Sequence, residues 1–476
     1  MGKVERVVFL SLVLDLFAFT IPLPLFPRII EWYTKREASD PSGFLSQTLH
    51  LVSSIRGLFY QPKSNPQRWD IVLLGGLMGS VFSALQWFIS PRLGSLSDKY
   101  GRKRILLLTM IGNILSALVW LKSTTFATYL LSRVIGGLSE GNVQLAIAIL
   151  SDITTPANRS KALAHVGIAF AICFCIGPPI GAYFASRPLL STLETSGIQW
   201  NVYATPALIT LVLLVAETIF LMVALPETRG KKAYVDSAEK PKTNGTSNGK
   251  ANGTTTNGST QKLTRAQSVE QRLDMLAKLR RLHFLFLGIF SGVEFTLTFL
   301  TFDLFDWNNK QNGALIGSIG IISALLQGGY VRRALPKVGE VNMARRGISA
   351  CALGLVLLAL VPRTGLTASV RFLQGAAVCM AFTSATVVNS LTASASVQCD
   401  EQVGADGAAT EEHPQLAKGT ALGRFRSSGQ LGRAIGPLLA CASYWTVGPS
   451  VTYAVGAVAM FALSTSMRSV ARRKTE

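Results

Sequence analysis

Charge is what this chain of 476 residues has least of: 15% of it is Asp, Glu, Lys or Arg, against 49% apolar. Ordinary globular domains carry about a quarter charged residues, so a protein dissolved in water is excluded. Cysteine is scarce, at six. Cys173, Cys175, Cys351, Cys379 and Cys441 fall in apolar runs and Cys399 in a loop, so no disulfide framework is indicated. The four histidines, at 50, 165, 283 and 413, are scattered without ligand spacing, which leaves no metal site to argue for. No glycine-rich loop closes on Lys-Ser or Lys-Thr, so a phosphate-cradling ATP site is absent. Nothing points to an enzyme or to a bound cofactor.

What is present is apolar length. Twelve segments stand out, at 7–27, 71–92, 105–121, 127–150, 161–184, 202–225, 283–303, 313–331, 347–362, 367–390, 420–445 and 449–467. Most approach or exceed the roughly 20 residues a helix needs to cross a bilayer. In hydrocarbon every backbone group must be paired within its own segment, so these are expected to be helices. The first begins near the start of the chain without a small-residue cleavage site and reads as a retained helix. The expected fold is all-α and polytopic, with twelve transmembrane helices in two six-helix bundles.

Acid is the scarcer sign, 26 residues against 46 basic, a net charge of +20. Lys and Arg gather in the amino-terminal end, the tail and the loops after segments 2, 4 and 8, while the short loops after segments 3, 5, 7, 9 and 11 carry almost none; the long loop after segment 1 has six basic and four acidic residues and, being long, weighs less. That asymmetry predicts both termini in the cytoplasm and makes the charge a topology signal, not a nucleic-acid footprint.

The densest charge lies in Gly94-Ser-Leu-Ser-Asp98-Lys-Tyr-Gly101-Arg102-Lys-Arg, read as a tight turn between segments 2 and 3. Asp98 and Arg102 can pair with each other and with the start of segment 11, holding one face shut. The plainer alternative is that these charges only orient the turn. Gly177-Pro178 and Gly436-Pro437 remove hydrogen bonds and admit close helix approach, so bends with a gating role, or simple kinks, are expected there.

The chain also repeats itself. Gly79-x-x-x-Ser83-Ala-Leu-Gln86 answers Gly320-Ile-Ile-Ser323-Ala-Leu-Leu-Gln327, Arg133-x-x-x-Gly137 answers Arg371-x-x-x-Gly375, and Gly177-Pro178 answers Gly436-Pro437. The same order in both halves implies parallel bundles at 1–225 and 282–476, with a site near the midplane between them. The connecting 226–281 stretch turns to Lys, Asn, Gly, Ser and Thr. Its core, Thr243 to Thr260, reads as disordered. The glycosylation-type triplets at Asn244, Asn252 and Asn257 are chance on the cytoplasmic side. Leu263, Val269, Leu273, Leu276 and Leu279 predict an amphipathic helix on the membrane surface.

Ionisable groups inside spans are costly and are functional candidates by default. Asp15, Arg133, Glu140, Gln144, Glu294, Arg371 and Arg426 form this set, with Arg424 and Arg433 on the same segment as Arg426. Arg133, Glu140 and Gln144 fall at i, i+7 and i+11, on one face of a continuous helix. Such carboxylates beside arginines can take up and release a proton, and an Arg fork can hold a carboxylate. The alternative is a set of internal ion pairs that fix packing.

The turn pattern G-x-L-x-D-x-x-G-R-K resembles the signature loop of the major facilitator superfamily. Arg133-x-x-x-Gly137-x-x-x-Gly141 is similar to its proton-coupling helix motif, Gly167 with Gly177-Pro178-Pro-Ile-Gly181 to its antiporter motif, and Pro226-Glu227-Thr228 to its exit from helix 6. Together they resemble the drug:proton antiporter branch. Val8 to Thr20, Asn142-Val143, Ser291 to Leu297 and Gln327 to Arg333 are similar to the animal tetracycline transporter-like organic anion transporters. The resemblance implies movement of organic anions, aromatic carboxylates among them, by alternating access with proton exchange. It implies proton coupling at Asp15 and Arg133, and a peripheral Glu217, because the sixth helix packs outside. Ala182 stands where the antiporter motif has a second glycine. The expected partners are a small organic anion, protons and the bilayer, for a monomer with no cofactor and no nucleic acid. The expected location is the plasma membrane or an endomembrane. An uncoupled facilitator, or a transporter fold serving as a receptor, are the alternatives.

Overall fold

The computed structural model describes residues 2–22, 25–37, 40, 42–59, 66–185, 203–229, 268–307, 309–400 and 413–472. Most of the linker with its three triplets, Leu263, and the acidic residues Glu401, Asp406, Glu411 and Glu412 lie outside the described residues.

The amino-terminal half holds α1 (Lys3–Thr20), α4 (Pro66–Tyr100), α5 (Arg102–Leu121), α6 (Phe126–Ser139) with α7 (Asn142–Ile153), α8 (Pro156–Ala185) and α9 (Ala204–Ala224). Two further helices, α2 (Phe26–Arg36) and α3 (Phe44–Phe59), fold within the long first connection. The carboxy-terminal half holds α10 (Val269–Phe305), α11 (Asn309–Leu325) continued by a π turn (Leu326–Val331) into α12 (Arg332–Val338), α13 (Glu340–Leu360), α14 (Leu366–Val397), α15 (Lys418–Val447) and α16 (Pro449–Arg472). No strand occurs among the described residues.

Among the described residues, ten helices are long and apolar enough to cross a bilayer. The other two of the twelve, α1 and α15, carry Asp15 and the arginines at 424, 426 and 433. These two spans fall outside that set with charged residues in them, and hydrocarbon tolerates charge in a span only when it faces protein or water. Around the outside, Leu108, Ile111, Leu115 and Leu118 of α5, Val212, Val215 and Ile219 of α9, and Val455, Val458 and Phe461 of α16 are exposed. At helical spacing they form the belt a bilayer covers.

Each half has its own apolar core. The repeat is visible in the packing: a side chain at Gly177 of α8 would meet Thr20 of α1, and one at Gly436 of α15 would meet Gly288 and Ser291 of α10. Pro178 and Pro437 sit inside unbroken helices. The one-residue turns also match, with Gly101 at φ 105° and Gly339 at φ 80°, in the left-handed region where glycine alone is unstrained.

Three expectations change. The Gly94–Arg102 stretch is not a loop: α4 runs through Pro91 and Gly94 to Tyr100, and only Gly101 interrupts it before α5. The amphipathic segment is not a separate surface helix. From Val269 it continues into α10, with Leu276 and Leu279 buried in the carboxy-terminal core and Arg272 donating to the Gln398 and Asp400 carbonyls. The fourth span is not continuous, because Glu140 has an extended backbone (φ −73°, ψ 96°) between α6 and α7.

Candidate functional site

Helix breaks expose backbone groups and re-aim side chains, and the break at Glu140 does both. Glu140 lines a cavity of about 50 Å³ in the amino-terminal half, together with Asp15, Phe19, Phe82, Asn113, Arg133 and Thr210. That volume admits a few waters and not a drug-sized ligand. Asp15, 5% exposed, accepts a 2.6 Å hydrogen bond from Asn142 Nδ2, and Asn142 Oδ1 accepts from Thr109 at 3.0 Å. Three helices are thereby tied around one carboxylate: α1, α7 and α5. Arg133 lies over the rings of Trp120 and Tyr129, at 5.5 and 5.8 Å.

The break separates residues that a continuous helix would align. Arg133 and Glu140 share the cavity, but Gln144 turns away and donates to the Ser90 carbonyl at 2.8 Å. It sits where α4 crosses α15, beside Gly94 and Gly423. From the carboxy-terminal half, Arg426 is charge-coupled to Glu140 first and to Asp15 less strongly. Arg433 acts on Glu294, which is exposed. Arg371 is exposed in the second turn of α14, at the end away from the Gly101 turn.

Glu217 is not peripheral. It is 1% exposed, follows the buried Thr210 and Leu214 on the inward face of α9, and is charge-coupled to Asp15 and Glu140. The seven-residue step from Thr210 was a readable signal; the packing of that face on α1 and α5 was not. Asn142 was visible in sequence only through resemblance.

At the Gly101 end the halves are joined. Helix α15 begins after Ala417, which offers no side-chain cap. Asp98 of the other half takes that place. Its Oδ1 accepts from Gly419 N (2.9 Å), and its Oδ2 from Thr420 N (2.6 Å) and Thr420 Oγ1 (2.8 Å). A carboxylate at a helix N-terminus meets both the free N–H groups and the positive end of the dipole. Arg102 Nη1 pairs with Asp98 at 2.6 Å, and its Nε with Asp152 at 2.9 Å. Gly94 and Gly419 allow the approach, since a Cβ on Gly94 would strike the Gly419 carbonyl.

A second tie lies beside it. Asp400 pairs with Arg159 of α8 and, at 3.5 Å, with Lys418; Lys418 Nζ donates to the Ser151 carbonyl at 2.8 Å. Ser151 and Ser396 share a hydrogen bond of 2.7 Å. Glu227 performs a similar capping role within the amino-terminal half, accepting from Arg102 N and Lys103 N at 2.8 and 3.2 Å. At the opposite end, Trp69 of α4 packs on Phe299, Phe302 and Trp445, with ring centroids 5.3, 5.7 and 6.4 Å away.

The Major Facilitator Superfamily model matches residues 8–437, a stretch that takes in both bundles and the Asp98–Arg102 cap that ties them. The chain belongs to the major facilitator superfamily. It is 33% identical over 467 residues to mouse major facilitator superfamily domain-containing protein 10, covering 95% of this chain and 90% of that protein. The crystal structure of the human organic anion transporter MFSD10 (TETRAN) superposes with a TM-score of 0.77 at 30% identity, over 98% of this chain and 99% of that one. A shorter match, 34% over 106 residues, is to the class H tetracycline resistance protein of Pasteurella multocida, covering 22% of this chain and 26% of that protein. The chain is a multi-pass membrane transporter of this superfamily, similar to the animal tetracycline transporter-like proteins as its motifs indicated.

Proposed function

We propose that this superfamily member moves small organic anions, aromatic carboxylates among them, by alternating access coupled to proton movement. The observation that carries the reading is the charge pattern across the midplane. Asp15 and Glu140 sit in a water-sized cavity of one half, and Arg426, charge-coupled to both, comes from the other. An anion held by Arg426 or Arg133 competes with those carboxylates for the same cations, so loading the anion and protonating an acid favour each other. The similarity to an organic anion transporter of known structure supports the substrate class.

In this reading Asp15, Arg133, Glu140, Glu294 and Arg426 handle substrate and proton, with Gln144 and Arg371 in weaker positions. Gly94, Asp98, Gly101 and Arg102 latch one face, and Gly177-Pro178 and Gly436-Pro437 set the helix contacts that move. The halves 1–225 and 282–476 rock about the site, joined by 226–281. The Gly101 face and both termini are cytoplasmic, in a plasma or internal membrane, and the protein works as a monomer.

The test is uptake of a labelled aromatic carboxylate into proteoliposomes, with and without an imposed pH gradient. Gradient-driven uptake that is lost in Arg426→Ala and Asp15→Asn is expected. Uptake indifferent to the gradient in all three would replace the proposal with a facilitator. No anion movement at all would remove the substrate class.

A further inference from the structure

Helix α3 was not expected from the sequence, and it has three faces. Leu45 and Val52 are buried in the outer core of the amino-terminal half with Ile29, Ile30 and Tyr33. Arg56, on the same side, is buried and pairs with Asp70 of α4 through Nε at 2.6 Å and Nη2 at 3.3 Å. A second face carries Gln47, His50 and Ser54, all exposed. The third carries Phe44, Leu51, Ile55 and Leu58, which are 49, 57, 48 and 80% exposed. These four fall at i, i+7, i+11 and i+14, one line down the helix.

The height of that line is set by its neighbours. Asp70, which holds Arg56, immediately precedes the apolar run of 71–92. Phe44 stacks on Phe126, the first residue of α6, at 6.1 Å. The exposed belt of α6 begins at Leu131, five residues or about 7.5 Å further along. The apolar line therefore runs on from the surface that the bilayer already covers. We propose that α3 is an interfacial helix, seated in the lipid leaflet opposite the Gly101 turn through Phe44, Leu51, Ile55 and Leu58. Its Gln47–His50–Ser54 face meets water. A single line of four side chains is narrower than the roughly 20–30 residues a side of a stable protein interface, whereas a lipid surface accepts it. Trp69, next to Asp70, is part of the aromatic closure against Phe299 and Trp445. The seat of α3 thus holds one wall of that closure at a fixed depth.

The test uses the full chain with Cys175 and Cys379 replaced by serine, reconstituted in phosphatidylcholine nanodiscs. Spin labels are placed singly through Leu51→Cys, Ile55→Cys, Leu58→Cys, His50→Cys and Ser54→Cys. Lipid-soluble oxygen should relax the first three labels several-fold more than a water-soluble nickel chelate does, and the order should reverse for the last two. Nickel access at all five positions would put α3 in water and overturn the proposal. Low access of both reagents at 51, 55 and 58 would mean protein covers the line, a second copy included, and would overturn it equally.

Discussion

Replacing Asp98 by alanine should open the Gly101 end, and the size of the effect follows from which bonds cross between halves. Asp98 accepts four hydrogen bonds: one from Arg102 in its own half, and three from Gly419 N, Thr420 N and Thr420 Oγ1 in the other. The Arg102 bond survives any separation of the halves and cancels from the comparison. The three crossing bonds are made only when the end is closed. Loss of a helix N-cap costs about 0.5–2 kcal/mol, and hydrogen bonds to a charged group contribute about 1.5–3 kcal/mol each in isolation. Competition from water once the halves part brings the difference to about 3 kcal/mol, a shift of about 150-fold in the ratio of closed to open molecules. Thr420→Val removes one of the three and should shift the ratio about fivefold, for roughly 1 kcal/mol. Arg104 at the start of α5 and Gln415 just before α15 are exposed and suit spin labels for a distance measurement across the closure. The parent should give one short distance, Thr420→Val a mixture, and Asp98→Ala a long one. An unchanged distribution in Asp98→Ala would refute the idea that this cap holds the halves together.

The second tie should be cooperative: a double-mutant cycle on Arg159→Ala and Asp400→Ala, read by the same distances, should show coupling of about 0.5–3 kcal/mol, and additivity would mean the pair is incidental. Asn142→Leu removes the donor to buried Asp15 and should cost about 1–3 kcal/mol, seen as a lower melting temperature together with lost uptake; wild-type uptake would show that this bond is dispensable. Glu227 titrates against its surroundings: burial opposes ionisation, but the N–H groups of Arg229, Arg102, Lys103 and Thr228 outweigh it and hold the carboxyl below the usual range. Its folded value being depressed, the cap on α5 is complete above the ordinary Glu value of about 4.3 and is lost only as pH falls through the lower one. A label at Arg104→Cys should therefore keep its mobility from pH 7.5 to 5, and Glu227→Gln should loosen it throughout; loosening of the parent in that window would contradict the sign. Arg371→Ala should leave uptake within about twofold of the parent, since an exposed surface substitution costs little, and a large loss would bring α14's outer end into the site.

Much of the protein was legible because its signals are local. An apolar run long enough to cross hydrocarbon must be a helix wherever it occurs, so the spans could be read without knowing their neighbours. The interruption at Gly101 and the repeated Gly-Pro pairs were legible for a similar reason: turn chemistry and close helix approach are written in adjacent residues. The turn proved to be one glycine and not the whole of Gly94–Arg102. The first connection was read as a loop because its short helices α2 and α3 lack bilayer length.

Asp15, Arg133, Glu140 and Arg426 were found by one rule, the cost of charge in a span. That rule names residues without saying which way they face. The break at Glu140 detached Gln144 from Arg133, burial placed Glu217 among the acids, and Arg371 stayed exposed at the far end; each depends on how helices pack side by side. Asp98 capping a helix that begins 320 residues later in the chain is the sharpest case. Sequence alone determined that a carboxylate stood at that turn and that the start of segment 11 was a candidate partner for it. Only the tertiary structure decided that one answers the other, because hydrogen bonds form between atoms brought within about 3 Å, and chain separation carries no information about that distance.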